Sequence, residues 1–375
     1  MASRNLHAQP FDESTISKLE IFEKYAQAWI PTFIMGKYNK ILIFDFFAGT
    51  GYDKNGVEGS SIRILNKVLE QLSNIQKHNI TVELHFNEWE PDNLTQTKFK
   101  QLETACEEYF NIHPELKKVS SLNLYNEDFS TNFKRLLPII GTHPSLVYLD
   151  QNGIKFLSDD YLLELEKMRQ TDFLYFVSSS YVWRFGDTPE FKTHLDIDME
   201  SAKKNGFTMI HRTIVDELRK KISSQSELKL YPFSLQKDKN IYGIIFGAKH
   251  PRAVDKFLSI AWKKNELNGE ANFDIYNDGH APAVIQQSLF ESYVPKRTKI
   301  ESFQDNVKNK ILKKEICDNL ALLKFVHEEG HIGAHAAECL KKMKTDGLIN
   351  YDGLSPYVTY ENVYQKKNII QYKVI

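Results

Sequence analysis

The segment KILIFDFFAGTGY, residues 40–52, limits the folds open to this 375-residue chain more than any other. The apolar run Ile41 to Phe44 ends in Asp45, followed by Phe46, Phe47 and Ala48 and then by Gly49 and Gly51. Short apolar runs of this kind read as strands buried on both faces, the habit of parallel sheets. The two glycines let the chain turn from strand toward helix while its backbone comes close to a ligand. A dinucleotide fingerprint would require a third glycine and a phosphate on the helix terminus. An acid at the strand end with only two close glycines fits the sulfonium cofactor S-adenosylmethionine better. An ordinary strand and loop would read the same way, so the segment has to be judged with its neighbours.

Those neighbours repeat the pattern. Further strands are expected over 81–86, 121–125, 146–149 and 173–177, and helices over 15–29, 60–77, 93–110, 130–137 and 156–168. This alternation predicts an open, Rossmann-like parallel α/β sheet, in which ligands sit beyond the carboxyl ends of the strands. Asp45, Glu88, Asp128 and Asp150 each close a strand and should line that edge. In an adenosylmethionine site Asp45, Phe47 and the backbone of Gly49 and Gly51 would face the amino-acid end. Glu88 would accept from both ribose hydroxyls. Asp128 would accept from the adenine amino group, with Phe129 against the ring. Any one of these acids taken singly reads better as a solvated loop residue; four after four successive strands favour a site.

The chain exceeds the roughly 250–300 residues at which single cores stop growing. Two domains are expected, an α/β domain over 1–300 with an insertion around 186–235, and a smaller α+β domain over 301–375. A net charge of -1 supplies no global positive field, so contact with nucleic acid would rest on a local patch. Cys106, Cys317 and Cys339 are isolated and make neither a disulfide framework nor a zinc pair, which suits a reducing cytosol. The first residues are polar and no apolar run is long enough to span a bilayer, so a cytoplasmic location is expected.

After the fifth strand, Tyr181 and Arg184 fall at the same sheet edge. Arg184 is suited to grip a phosphate or carboxylate, or equally to be a structural Arg tied to the local acids, and Tyr181 to stack or hydrogen-bond. Another buried strand over 240–247 opens into Lys249, His250 and Arg252, expected to return to that edge as substrate contacts. From Asp305 onward the pattern is helical over 307–312, 319–327 and 334–343, with strands over 348–349, 358–360 and 369–375. Helix–turn–helix plus a small hairpin is a winged-helix pattern. Its second helix, over 331–344, carries Lys341, Lys342 and Lys344 near its end, and reads either as a recognition helix or as a protein contact. His327-Glu328-Glu329-Gly330-His331 matches H-E-x-x-H, but Gly330 and Gly333 sit where the helix of a zincin must continue. No metal site is expected there.

Read together, DFFAGTGY at 45–52, GSS at 59–61, FNEWEPDN at 86–93, NEDF at 126–129 and VYLDQNGIK at 147–155 form one set. FVSSSYVWRF at 176–185, NIYGIIFGAKHPRAVDKFL at 240–258 and AWKKNELNGEANFDI at 261–275 complete it. With these segments the chain resembles the three-Cys-motif partner proteins, from about Ile16 to its C-terminus. They are a bacterial family with a methyltransferase-like fold, often encoded in mobile or phage-defence neighbourhoods. The resemblance implies a class I methyltransferase-like sheet and a protein partner encoded nearby that supplies the three-cysteine motif. Where relatives tend to have Asp-Pro-aromatic-Gly, this chain has Asp150-Gln151-Asn152-Gly153. The hydrogen-bond acceptors Asp150 and Asn152 remain, but the stacking ring is gone.

These readings lead to an S-adenosylmethionine-binding protein that acts on, or senses, nucleic acid or a nucleotide, with Asp150 orienting the nucleophile or accepting its proton. A non-catalytic adapter on a degenerate scaffold is the main alternative. A metal-dependent nuclease built on the sheet-edge acids is the third.

Overall fold

The computed structural model describes residues 10–36, 38–90, 96–151, 159–195, 197–278 and 297–375. The chain divides into two compact units, 1–253 and 254–375. In the first unit the order is α1 (Glu13–Ile34), β1 (Lys40–Asp45), α2 (Ser60–Glu70), α3 (Leu72–His78), β2 (Thr81–Asn87) and α4 (Thr97–Ile112). Next come β3 (Ser120–Tyr125), α5 (Phe129–Leu136), β4 (Ser145–Leu149), α6 (Asp159–Lys167), β5 (Thr171–Val177) and α7 (Ser179–Phe185). The unit continues with α8 (Pro189–Lys192), α9 (Met199–Lys204), α10 (Ile210–Lys221), β6 (Lys229–Lys237) and β7 (Asn240–Ala248). A further helix, α11 (Pro251–Lys264), starts at its end and runs into the second unit.

The seven strands form one sheet in the order β3-β2-β1-β4-β5-β7-β6. β1 to β5 are parallel, with Lys40 opposite Thr81 and Leu42 opposite Ser145, whereas β7 runs antiparallel to both β5 and β6. A sheet of this order with a reversed strand between the fifth and sixth is the class I methyltransferase arrangement. The central strands are buried on both faces: Ile41 to Phe44 are at most 1% exposed, and every residue of β5 is buried. Among the described residues, no helix is long and apolar enough to cross a membrane.

α1 runs two residues further toward the N-terminus and five further toward the C-terminus than its periodicity predicts, capped by Asp12, which accepts from the Thr15 N–H at 2.9 Å. Its apolar stripe packs on the sheet: the Phe22 ring stacks on Tyr148 at 3.9 Å and the Tyr25 ring meets Phe246 edge-on at 4.8 Å. The single helix expected over 60–77 breaks at Gln71 into α2 and α3. β6 starts inside the stretch read as an insertion and runs two residues past it, so that stretch contributes to an edge strand of the main sheet. The starts expected for two helices, at Asn93 and Phe156, lie outside the described residues.

In the second unit α12 (Lys299–Leu312), α13 (Asn319–Glu328) and α14 (Gly333–Thr345) enclose a core with Phe303, Val307, Leu322, Val326, Leu340 and Met343. A two-stranded sheet pairs β8 (Ile349–Asn350) with β9 (Lys373–Val374). This is a winged helix. The strand expected over 358–360 does not form, and Glu361–Gln365 is a π-helical turn instead. The H-E-x-x-H segment is split, as its glycines required: α13 ends at Glu328, and Gly330 adopts φ +70°. His327 faces Asp255 at 3.2 Å, while His331 stacks on Phe303 at 3.9 Å and lies 3.1 Å from His335.

Candidate functional site

The first unit holds a cavity of about 400 Å³ beyond the carboxyl ends of β1, β2 and β4. Its floor is the β1–α2 connection. Gly49 and Gly51 adopt φ +68° and +87°, and the Gly59 N–H donates to Gly51 O at 2.7 Å, folding the loop back before α2 begins at Ser60. Asn87, buried at the end of β2, ties three strand ends together. Its amide donates to Phe46 O at 3.2 Å and to Glu127 O at 3.0 Å, and its oxygen accepts from the Glu127 N–H at 3.1 Å.

Glu88 lines the cavity and accepts from the Gly49 N–H at 2.9 Å. Burial pushes its carboxyl up to about 7, with the Lys98 charge and the Gly49 N–H opposing and the Glu90 and Asp150 charges adding. Asp45 is fully buried at the end of β1 and outside the cavity wall. It accepts from the Phe47 N–H at 3.1 Å, and burial pushes it too up to about 7, against the Ser60 hydroxyl and that N–H. The charges of Asp150 and Glu88 also raise Asp45. Strand geometry has thus concentrated carboxyl groups where burial disfavours their charge.

Asp150 lines the cavity and is ion-paired through Oδ2 to Lys18 of α1, while its Oδ1 is buried with no hydrogen-bond partner among the described residues. The Lys18 ammonium also lies 4.4 Å from the centre of the Phe176 ring. Phe47 and Phe129 line the cavity, their rings 5.1 Å apart. Trp89, 40% exposed, and Lys98 stand beside Glu88 on its wall.

Asp128, expected to contact adenine, is engaged through Oδ1 in the fold itself. It caps α5, accepting from the Ser130 N–H at 3.0 Å and the Ser130 hydroxyl at 2.6 Å, and it does not line the cavity. Tyr181 and Arg184 are exposed on α7 outside the cavity wall, Tyr181 against Phe185 and Arg184 donating to Asn240. Lys249, His250 and Arg252 stand at the opposite edge of the sheet. Because β7 is antiparallel to β5, its carboxyl end lies beside the start of β5, with Gly247 opposite Phe173. There Lys249 donates to Glu166 O and His250 accepts from the Arg252 N–H. Asn152 lies outside the described residues.

Sequence reasoning did not assign Lys18, Trp89, Lys98, Phe176, Lys237 or Tyr242, all on the cavity wall. For Lys18 a signal existed: it continues the stripe of Phe22, Tyr25 and Trp29 by one turn, a charge on an otherwise apolar helix face.

Residues 276–356 match the family model of the GMT-like wHTH domain. Among solved structures, the chain is similar to the O-methyltransferase TomG from Streptomyces achromogenes, involved in tomaymycin synthesis and solved in complex with SAM. Identity is 11%, the match covers 64% of this chain and 91% of that one, and the TM-score is 0.32. So distant a likeness carries no weight here; the strand order defines the fold. No curated protein matches the chain. The strand order defines a methyltransferase-like sheet, and the second unit's fold and the family match define the winged helix that follows it.

Proposed function

We propose that the first unit binds S-adenosylmethionine and that the protein acts on, or senses, nucleic acid or a nucleotide in company with a partner protein. The carrying observation is the meeting of the glycine loop, Glu88 and Asp150 on one cavity at the strand ends. The residues present fit the cofactor. Glu88 has one oxygen engaged by the loop and a second left for ribose hydroxyls. Phe47 and Phe129 supply apolar surface for a flat base, and the orphaned Asp150 Oδ1 is an acceptor suited to a donor from a ligand. When bound, the cofactor supplies an electrophilic methyl group. Asp150 then orients the nucleophile by accepting its N–H or O–H. The resemblance to three-Cys-motif partner proteins supports a nearby protein partner and a place in phage defence.

The adapter reading has its own observation: Asp150 is already neutralised by Lys18. For the nuclease reading, no group of three His, Cys, Asp or Glu side chains among the described residues is placed to hold an ion.

Calorimetric titration with S-adenosylmethionine and S-adenosylhomocysteine tests the proposal. Wild type should bind, and Glu88→Ala should weaken binding at least tenfold. Absence of binding heat from wild type, alone and with its copurified partner, would overturn it.

A further inference from the structure

The ion pair between α1 and the end of β4 has a chemistry of its own. Lys18 has a side chain only 10% exposed, yet it reaches the cavity wall, where its ammonium meets Asp150 Oδ2. An ammonium carries three N–H donors, so the bond to Asp150 leaves others. Asp150 Oδ1 is buried without a partner among the described residues. The pair therefore sets a donor beside an acceptor that burial leaves unsatisfied, and its charges cancel. A free ammonium would have to compete with Lys18 for Asp150, and an anion with Asp150 for Lys18. The ligand that satisfies both without displacing either is neutral and offers an acceptor next to a donor.

The walls add a shape. Phe176 lies under the Lys18 ammonium, and the Tyr242 ring runs parallel to it, tilted by 12° with centroids 5.8 Å apart. Both line the cavity, Phe176 from the end of β5 and Tyr242 from the start of the antiparallel β7. The aromatic surface that the Asp150-Gln151-Asn152-Gly153 sequence lacks is supplied by the two adjacent strands.

We propose that Lys18 and Asp150 form the recognition pair of an acceptor subsite for a flat, neutral group that presents a hydrogen-bond acceptor beside a donor, as a nucleobase edge does. Phe176 and Tyr242 are its aromatic wall. The proposal rests on the cavity being the site assigned above, and it narrows the substrate class. Lys18 is its specificity-determining residue, because it sets the polarity of the edge that is read.

The test titrates adenosine, guanosine, cytidine and benzamide into wild type, Lys18→Met and Lys18→Arg, with and without saturating S-adenosylhomocysteine, by ligand-observed NMR. At least one nucleoside should bind wild type, and Lys18→Met should weaken it tenfold or more. Lys18→Arg, which keeps the charge but replaces a point donor by a planar fork, should change the ranking of nucleosides by threefold or more. If Lys18→Met fails to fold, Lys18→Arg carries the test. No nucleoside binding to wild type, benzamide binding alone, or equal nucleoside affinities in wild type and the folded variants would overturn the proposal. A wild type that binds a nucleoside but not S-adenosylhomocysteine would overturn the cofactor assignment and leave the recognition pair standing.

Discussion

Asp172 shows what burial does to one carboxyl in this sheet. It sits near the start of β5, away from the cavity, and accepts from the Tyr25 hydroxyl of α1 at 2.7 Å. Burial pushes it from 3.8 up to about 7, with that hydroxyl opposing. Folding therefore favours the protonated form: the stability it contributes is full below pH 3.8 and is lost as pH rises through about 7. Asp172→Asn cannot ionise. Across that window wild type should lose stability relative to the variant by up to about 1.4 kcal/mol per pH unit. Urea melts of both proteins at several pH values check it, and parallel curves would refute it. At the site, the acids were legible in the sequence as strand-end residues, but their uses were not. Asp128 followed by Phe129 and Ser130 makes a helix cap as readily as a ligand contact, and the cap is what forms. Lys18 stood out as a charge on an apolar helix face, but its pairing was unreadable because Asp150 lies 132 positions away, on another element.

At the scale of elements, the glycine loop is the most demanding piece of backbone. Gly51 adopts φ +87°, and a Cβ there would lie 2.6 Å from the Cβ of Ala105 on α4. Gly51→Ala meets both a steric and a conformational penalty, with the backbone part on the order of 1–3 kcal/mol. It should lower the melting temperature and abolish S-adenosylhomocysteine binding. Adding Ala105→Gly should restore only part of the stability, because it relieves the contact and not the φ; full recovery would show that the loop tolerates a side chain. The parallel half of the sheet was legible because each strand is a short apolar run that a helix follows. β7 was legible as a strand but not in direction, since direction is set by its connection. That connection is the two-residue loop between Lys237 and Asn240, whose Asp238 takes φ +52° without the Asn-Gly or Asp-Gly pair that marks such a turn. β6 carries Pro232, which a strand tolerates at a sheet edge and which hides it from pattern reading. Hence Lys249, His250 and Arg252 were assigned to the wrong edge.

For the whole molecule, the nearly neutral charge separates two uses of the winged helix. With a net charge of -1, any hold on nucleic acid has to come from a few placed cations. Lys341 and Lys342 are exposed on α14. Lys344 is already committed to the wing: it donates to Tyr351 O at 2.7 Å and Gly353 O at 3.3 Å and lies 4.1 Å from the centre of the Tyr351 ring. The three lysines should therefore behave differently. If the unit binds duplex DNA, replacing Lys341 and Lys342 by Gln should lower the salt slope of binding by up to about 1.8, at roughly 0.9 per phosphate contact. The melting temperature should be unchanged. Lys344→Met should instead lower the melting temperature, whatever the unit binds, because two wing carbonyls lose their donor. Fluorescence anisotropy over a salt series, with thermal melts, separates the effects. A slope that ignores Lys341 and Lys342 while wild type still copurifies with another protein would assign the winged helix to protein contact. Any hold on nucleic acid would then fall to the methyltransferase-like sheet, where the proposed Lys18–Asp150 pair would read it.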